Sequence, residues 1–505
     1  MARTGATIGI DVGTSATKGV LLAEDGRVLA RASAEYPLLT PRPGWTEQRP
    51  DDWWKASVEV LRKLCATPDV EILGLSLSGQ MHGSVFLDRE GRVLRPALLW
   101  NDGRTHAECL EIERRLGRER LVAITGNLAS TGFQAPKILW LRTHEPDHHA
   151  RLASVLLPKD LIRLRLTGAA ATDTADASGT LLVDLACRRY SDEILTALEI
   201  PEALLPEIFE GSEVTGRVTA EGAALTGLPE GTPVAAGGGD NACAAVGAGI
   251  IEHGTGAISL GTSGTIFLRS EHPVHDPQGA LNAFCDATGG WHLMGVTLSA
   301  GGAVRWAMDR VAGTDAEVLR RVGQDPFAVL LEQALALPPG GDGVLFLPYL
   351  AGERSPHMDP QARGAWVGLS LAHERRHLLR AVLEGVGYAL ADCLERMRAV
   401  GLEPASLALV GGGARNPAWR RMLASQLRVE LTTAVGAEEG PALGAAFLAR
   451  VAAGLDPDLD AATRRIVPPV GERMAPEEAL VPSYRELHAQ YRLLYPALKG
   501  TGLFG

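Results

Sequence analysis

No stretch of about 18 or more uncharged apolar residues occurs in these 505 residues, so no segment reads as a membrane-spanning helix. A secretory leader is missing too. Met1-Ala2-Arg3-Thr4-Gly5 passes straight into the strand-like Thr7-Ile8-Gly9-Ile10, without an apolar core or a small-residue cleavage site. A cytoplasmic address is therefore expected. Lysine is scarce, with 6 against 43 Arg, and the basic residues are scattered under a net charge of −11. That leaves no basic stripe for nucleic acid. The six cysteines (65, 109, 187, 243, 285, 393) form no C-x-x-C pair and no regular framework, which points to reduced, mostly buried thiols.

What is present fits a globular protein of more than one domain. Hydrophobic residues make up 46% and charged residues 22%, and 505 residues exceed one ordinary core. Glycine, at 58 residues, is frequent without low-complexity segments, so tight turns and close backbone approaches should follow.

The chain also echoes itself. Ile8-Gly9-Ile10-Asp11-Val12-Gly13-Thr14-Ser15 leads into Lys18-Gly19-Val20-Leu21-Leu22. About half the chain later, Ile258-Ser259-Leu260-Gly261-Thr262-Ser263-Gly264 leads into Thr265-Ile266-Phe267-Leu268. A strand, a Gly-Thr-Ser turn and a second strand, repeated at that spacing, point to two related domains. Periodicity predicts strands at 7–11, 17–23, 27–34, 72–77, 84–88, 233–236, 257–260, 265–269, 344–347 and 407–410. It predicts helices at 51–66, 104–116, 374–398, 417–428 and 484–496, the last packing back onto the N-terminal lobe. Hairpins followed by helices predict mixed α/β sheets. The expected division is 1–245 and 246–505, with the boundary near 240–256.

Three glycine-rich turns and one carboxylate turn carry the chemical signal. Asp11-Val12-Gly13-Thr14-Ser15 ends a strand in a carboxylate and then offers backbone N–H groups and two hydroxyls. Such a turn can wrap phosphate oxygens, and the carboxylate can hold Mg2+ through water. The same residues also suit an ordinary hairpin with a turn-forming Asp. No Walker loop stands there. A second turn, Gly261-Thr262-Ser263-Gly264, lets two hairpins from two lobes grip one polyphosphate. In Gly237-Gly238-Gly239-Asp240-Asn241 the glycines admit a ligand close to the backbone beside a carboxylate, although a capped flexible turn looks the same. Gly411-Gly412-Gly413 follows a strand and opens a helix near Asn416, a seat for a nucleotide at a positive helix end.

Taken with Ser78-Gly79-Gln80-Met81-His82-Gly83, Leu99-Trp100-Asn101-Asp102-Gly103-Arg104, Leu157-Pro158-Lys159-Asp160 and Gly352-Glu353-Arg354-Ser355-Pro356-His357, these segments resemble the FGGY carbohydrate kinases of the actin-like ATPase superfamily. The resemblance runs to about residue 450, with the motifs in family order. Within the family it is strongest to members that phosphorylate D-xylulose. It implies an α/β fold of two actin-like ATPase (ribonuclease H-like) domains with a cleft between them. It also implies ATP and Mg2+, and a small sugar as the only other partner, with neither nucleic acid nor membrane and a homodimer left open.

Carried over position by position, the resemblance implies Asp240 as catalytic base and Asp11 as the carboxylate that organises Mg2+-ATP through water. Thr14, Ser15, Gly261 and Thr262 fall in the phosphate hairpins, and Gly411, Gly412 and Asn416 in the nucleotide segment. Met81 and His82 match the sugar-contacting pair, with Asn101, Asp102 and Asn241 as further hydroxyl partners. An ordinary Asp titrates near ~3.9, so Asp240 is expected to be ionised at neutral pH. Trp100 is expected in packing and Glu353-Arg354 as a structural ion pair. The family signature carries Ser, Thr or Pro where this chain has Gln134, and the segment 132–140 is expected beside the site. Ribulose, gluconate or another polyol stays open as acceptor. A non-catalytic, sugar-responsive ATP-binding protein is the rival of another class; it is expected to lose Asp11 or Asp240, and both are present.

Overall fold

The computed structural model describes residues 3–433, 440–466 and 471–502. A seven-stranded sheet is built from β1 (Thr4–Val12), β2 (Ala16–Ala23), β3 (Val28–Glu35), β4 (Val70–Gly79), β5 (Val214–Arg217), β6 (Pro233–Ala235) and β7 (Gly238–Gly239). Its order is β5-β6-β4-β1-β2-β3, with β7 also pairing to β4. A second seven-stranded sheet contains β8 (Thr255–Leu260), β9 (Gly264–Ser270), β10 (Asn282–Cys285), β11 (Trp291–Thr297), β12 (Ser406–Val410), β13 (Leu431–Thr433) and β14 (Arg473–Met474), in the order β10-β11-β9-β8-β12-β13-β14.

The two sheets repeat one plan. Three antiparallel strands (β3-β2-β1, and β11-β9-β8) are followed by two parallel ones (β4 and β6, and β12 and β13). An antiparallel edge strand closes each, β5 in one and β14 in the other. The Gly-Thr-Ser turns at 13–15 and 261–263 join corresponding strands, β1 to β2 and β8 to β9. The repeated tripeptide therefore marks a repeated fold, and the mixed α/β expectation holds. β1 is a central strand covered on both faces, with Ala6, Ile8, Ile10 and Val12 having no exposure at all, whereas the central β8 fully buries only alternate residues.

The helices that matter for the site are α1 (Pro50–Cys65), α2 (His106–Leu116), α3 (Gln134–His144), α4 (Pro158–Thr167), α5 (Thr174–Ser178) and α6 (Asp240–Gly247). Further along come α7 (Gly301–Arg310), α8 (Arg375–Ala399), α9 (Pro417–Leu427), α10 (Gly440–Ala452) and α11 (Val481–Gly500). α1 starts with Pro50 at its first position, carries Asp51 and Asp52 in the first turn and ends with Arg62 and Lys63, each charge matching the helix dipole. Its Trp53, Val60, Leu61 and Leu64 join Ile8, Ile10 and Leu75 in the first core. In α8, Leu379, Val382, Leu383 and Val386 join Ile258, Ile266 and Leu409 in the second, with Leu378 at the margin.

The last helix departs from expectation. α11 packs on the second lobe, because its tyrosines find their partners there. Tyr484 accepts from Arg380 at 2.7 Å, Tyr491 donates to the Tyr349 hydroxyl at 2.9 Å, and Tyr495 donates to Asp359 at 2.6 Å. The element that crosses back is α10. Thr7 donates to the Ala446 carbonyl at 3.2 Å, and Arg450 donates to the carbonyls of Ala23 at 2.9 Å and Glu24 at 3.0 Å. A Cβ on Gly9 would lie 1.9 Å from the Ala442 carbonyl oxygen, and one on Gly444 would lie 1.8 Å from that of Cys243 in α6. Bare backbone at these points is what lets α10 lie flat on β1 and against α6. Of the cysteines, 109, 243, 285 and 393 are buried, Cys187 is exposed, and none is disulfide-bonded. Among the described residues no helix is long and apolar enough to cross a membrane.

Candidate active site

In the first lobe the site is assembled at the carboxyl ends of β1, β4 and β7. Asp11 registers with Ser78 of the parallel β4, and Gly238 registers with the same Ser78 from the other side. The strand ending in Asp11 and the strand feeding Asp240 thus flank one position of β4. Gly237 makes the entry possible: its φ is +83°, and a Cβ there would lie 1.9 Å from the Leu77 carbonyl oxygen. Asp240 then opens α6, where its Oδ1 accepts from the Asn241 backbone N–H at 2.7 Å and from the Asn241 side-chain amide at 2.9 Å. The same Asn241 amide lies 3.9 Å from the Met81 sulfur.

Asp240 feels the charge of Asp11 as well as its own burial. Burial, and then the charge of Asp11, pushes Asp240 up from 3.8 to about 7, only partly countered by the Asn241 hydrogen bonds. Burial pushes Asp11 up to about 6 against the opposing pull of Ser78 and Lys18. Asp240 therefore does not titrate as an ordinary carboxyl, and that expectation is corrected. Asp11 Oδ1 is buried without a hydrogen-bond partner, a lone pair left for a ligand. Among the described residues no cluster of three or more metal-ligating side chains exists. A divalent ion held by one carboxylate, water and phosphates fits this donor set.

His82 follows Met81, which packs against Gly239 next to Asp240, and has its backbone at φ +67°. Its Nδ1 lies 2.6 Å from the Gly179 carbonyl, its ring meets Phe133 edge-on at 5.0 Å, and Phe284 of β10 in the second lobe stands 5.8 Å away. Burial holds its pKa down to about 3, so the ring is neutral at physiological pH. The carbonyl at Nδ1 requires the proton there, which leaves Nε2 as an acceptor. Asn101 is exposed, with its side-chain oxygen accepting from Thr46 at 2.7 Å. Asp102 is turned away. It is fully buried, and its oxygens accept from Arg104 at 2.7 and 2.8 Å and from the Thr46 backbone at 2.7 Å, so the carboxylate braces its own loop and offers the sugar nothing.

The first turn is held from below. Gly13 and Thr14 carbonyls each accept at 2.6 Å, from Tyr36 and from Gln48, and the Thr14 hydroxyl donates to Gln80 at 3.3 Å. Trp100, expected in packing, is 44% exposed and donates its indole N–H to that Thr14 hydroxyl at 3.1 Å. Ser15 and Lys18 are exposed. In the second lobe, Gly261 and Thr262 are exposed at the tip of the β8–β9 hairpin, and the Thr262 carbonyl accepts from Ala300 at 2.9 Å and Gly302 at 3.0 Å. Ser259 of β8 registers with Val410 of β12, which places the exposed Gly411 and Gly412 at the same sheet edge as that hairpin. Asn416 caps α9, its side-chain oxygen accepting from Trp419 N at 3.0 Å. Among the described residues no hydrogen bond joins the two Gly-Thr-Ser turns.

Sequence reasoning missed several supports. Gln48, Tyr36 and Gly179 reach the site only through long-range contacts that no local pattern reveals. Lys159 is fully buried with Asp160 at 2.7 Å, Asp173 at 2.6 Å and Asp176 at 3.4 Å, a charge cluster under the β4 end. Glu353 does not pair with the Arg354 side chain; its oxygens accept from Thr297, Leu298 N and Arg354 N at 2.7 to 2.8 Å. Gln134 is buried, donating to the Gly83 and Leu156 carbonyls, and so lies beside the site.

Two family models cover this architecture: the N-terminal domain of the FGGY family of carbohydrate kinases over residues 6–247 and its C-terminal domain over 256–453. The chain belongs to the FGGY family of carbohydrate kinases. This kinase is 42% identical to the xylulose kinase of Escherichia coli (strain K12) over 495 residues, covering 97% of this chain and 99% of that one. A xylulose kinase structure from Rhodospirillum rubrum superposes with a TM-score of 0.91 at 32% identity, over 98% of this chain and 99% of the other. A gluconate kinase from Lactobacillus acidophilus reaches 0.90 at 28% identity, covering 98% of each. Backbone shape is thus shared by kinases named for different acceptors.

Proposed function

We propose that this carbohydrate kinase transfers the γ-phosphoryl group of ATP to D-xylulose, giving D-xylulose 5-phosphate. The observation that carries the choice of sugar is the Met81–His82 pair, with Met81 against Asn241 next to Asp240, in a chain similar to xylulose kinases over nearly its whole length. The domain division at 245/246 is part of this reading, with 440–452 returning to the first lobe.

Asp240 takes the proton of the attacking hydroxyl. Its raised pKa makes it a stronger base than a free carboxylate, and it is deprotonated above pH of about 7 in the free enzyme. Asn241 fixes that carboxylate through two donors. The neutral His82 accepts a hydrogen bond from the sugar at Nε2, and Met81 forms an apolar wall. Asp11 would hold Mg2+ through water, and that ion supplies charge neutralisation on the phosphates. Thr14, Ser15, Gly261 and Thr262 offer hydroxyls and N–H groups to the phosphates, and Gly411, Gly412 and the α9 start face the nucleotide. Asn416 serves that segment by capping α9. Phosphoryl transfer with a loose transition state asks mainly for such alignment. A cytoplasmic setting follows from the supply of ATP.

An ADP-release assay across pentuloses, hexuloses, polyols and sugar acids tests the reading. D-xylulose is expected to give the highest kcat/KM; a higher value for gluconate or ribulose overturns the choice of sugar and leaves the kinase intact.

A further inference from the structure

Lys137 is a buried lysine without an ion pair, and the pull of the more distant Asp102 is opposed by Arg104. The lysine stands in the first turn of α3 with no surface exposure, where the helix dipole is itself positive. No carboxylate lies within ion-pairing distance of it among the described residues. Its ammonium donates instead to two backbone carbonyls, His82 O at 2.7 Å and Gly132 O at 2.6 Å. Burial draws its pKa down to about 7. A lysine kept at such a cost for two carbonyls calls for a reason beyond filling space.

The reason lies in which carbonyls they are. His82 is a residue other than glycine at φ +67°, a conformation a side chain rarely adopts unless its surroundings impose it. Its ring is fixed by Gly179, where a Cβ would come within 2.7 Å of His82 Nδ1, and by Phe133, the residue next to α3. Its backbone is fixed by Lys137. The other carbonyl belongs to Gly132, where a Cβ would lie 2.6 Å from the Trp100 carbonyl oxygen, and Trp100 in turn bonds the Thr14 hydroxyl. One segment, 132–137, therefore grips the sugar-side histidine and abuts the residue that steadies the first phosphate turn.

We propose that Lys137 is a positioning residue for the sugar: by tying the His82 carbonyl to Gly132 it holds His82 in its left-handed backbone conformation, with Nε2 presented to the substrate. The inference rests on the reading of His82 as a sugar contact. Lys137→Met keeps length and removes both donors, while Lys137→Gln keeps an N–H donor and serves if the first variant folds poorly. His82→Ala runs beside them. Losing an oriented hydrogen bond to a substrate hydroxyl should raise the sugar KM by about 10-fold or more in Lys137→Met, with the ATP KM within roughly 3-fold. Lys137→Gln should fall between Lys137→Met and wild type. Nitrogen NMR of the His82 ring should show a single Nδ1–H tautomer in the wild type and exchange between tautomers in Lys137→Met. If His82→Ala raises the sugar KM and a folded Lys137 variant does not, Lys137 is a core lysine and the inference is wrong. Equal rises in both KM values with an unchanged tautomer signal also overturn it. If His82→Ala leaves the sugar KM unchanged, the fault lies in the reading of His82, and the inference falls with it.

Discussion

Asp240→Asn removes a carboxylate that the fold holds at a cost, so it should change activity and stability in opposite directions. Moving a carboxyl from 3.8 to about 7 puts roughly 4 kcal/mol of penalty on its ionised form in the folded state. Because the folded-state value lies above the unfolded one, the folded protein binds the proton more tightly. The stability tied to this group is intact at low pH and is lost as pH rises from 3.8 to about 7. Asparagine never ionises, so the variant should match the wild type in acid and exceed it above neutrality, by an amount approaching that penalty. Turnover should move the other way: kcat falls by at least roughly 100-fold, because Asn cannot accept the proton, while sugar and nucleotide still bind. The acid limb of kcat/KM, expected near pH 7 in the wild type, should disappear from the residual activity. ADP release, calorimetric binding and thermal midpoints across pH on one preparation read all three. Near wild-type turnover would refute Asp240 as the base, and a midpoint difference that does not grow with pH would refute the burial argument.

Three further outcomes follow. Trp100→Phe loses one neutral hydrogen bond to Thr14 and should raise the ATP KM by about 2- to 10-fold with little effect on the sugar; an effect on the sugar alone would remove Trp100 from the phosphate side. Gly444→Val drives a side chain into the Cys243 carbonyl and should cost roughly 3 kcal/mol or more in denaturant unfolding, whereas an unchanged midpoint would mean that α6 and α10 are not in such close contact. Sugar and nucleotide together should slow hydrogen exchange at 13–15 and 261–263 by more than the sum of their separate effects, as two turns closing on one ligand require; merely additive protection would argue against a shared cleft.

Much of the scaffold is legible because its signals are local. The strands around both Gly-Thr-Ser turns follow from two-residue alternation and turn chemistry, and the long α8 follows from its apolar stripe. What escapes is partnership. α10, from Gly440 to Ala452, is apolar all round except for Arg450, so periodicity cannot say that it lies on β1. α11 has an amphipathic face but no mark naming Arg380, Tyr349 and Asp359 as its neighbours. The site divides in the same way. Asp11, Asp240, Met81 and His82 stand out by type and spacing. Asp102 looks equally available in sequence, and only the fold shows Arg104 folded back upon it. The raised pKa of Asp240 depends on burial and on Asp11, more than 200 residues away, which no motif encodes.

The central claim is that one sugar hydroxyl is phosphorylated with Asp240 as base, and the product itself tests it most directly. Incubating the enzyme with D-xylulose, ATP and Mg2+ and recording phosphorus and carbon NMR should show a single phosphate monoester coupled to C5, formed in step with ADP, and not formed by Asp240→Asn over the same interval. ADP accompanied only by inorganic phosphate, or an ester at another carbon, would contradict the account.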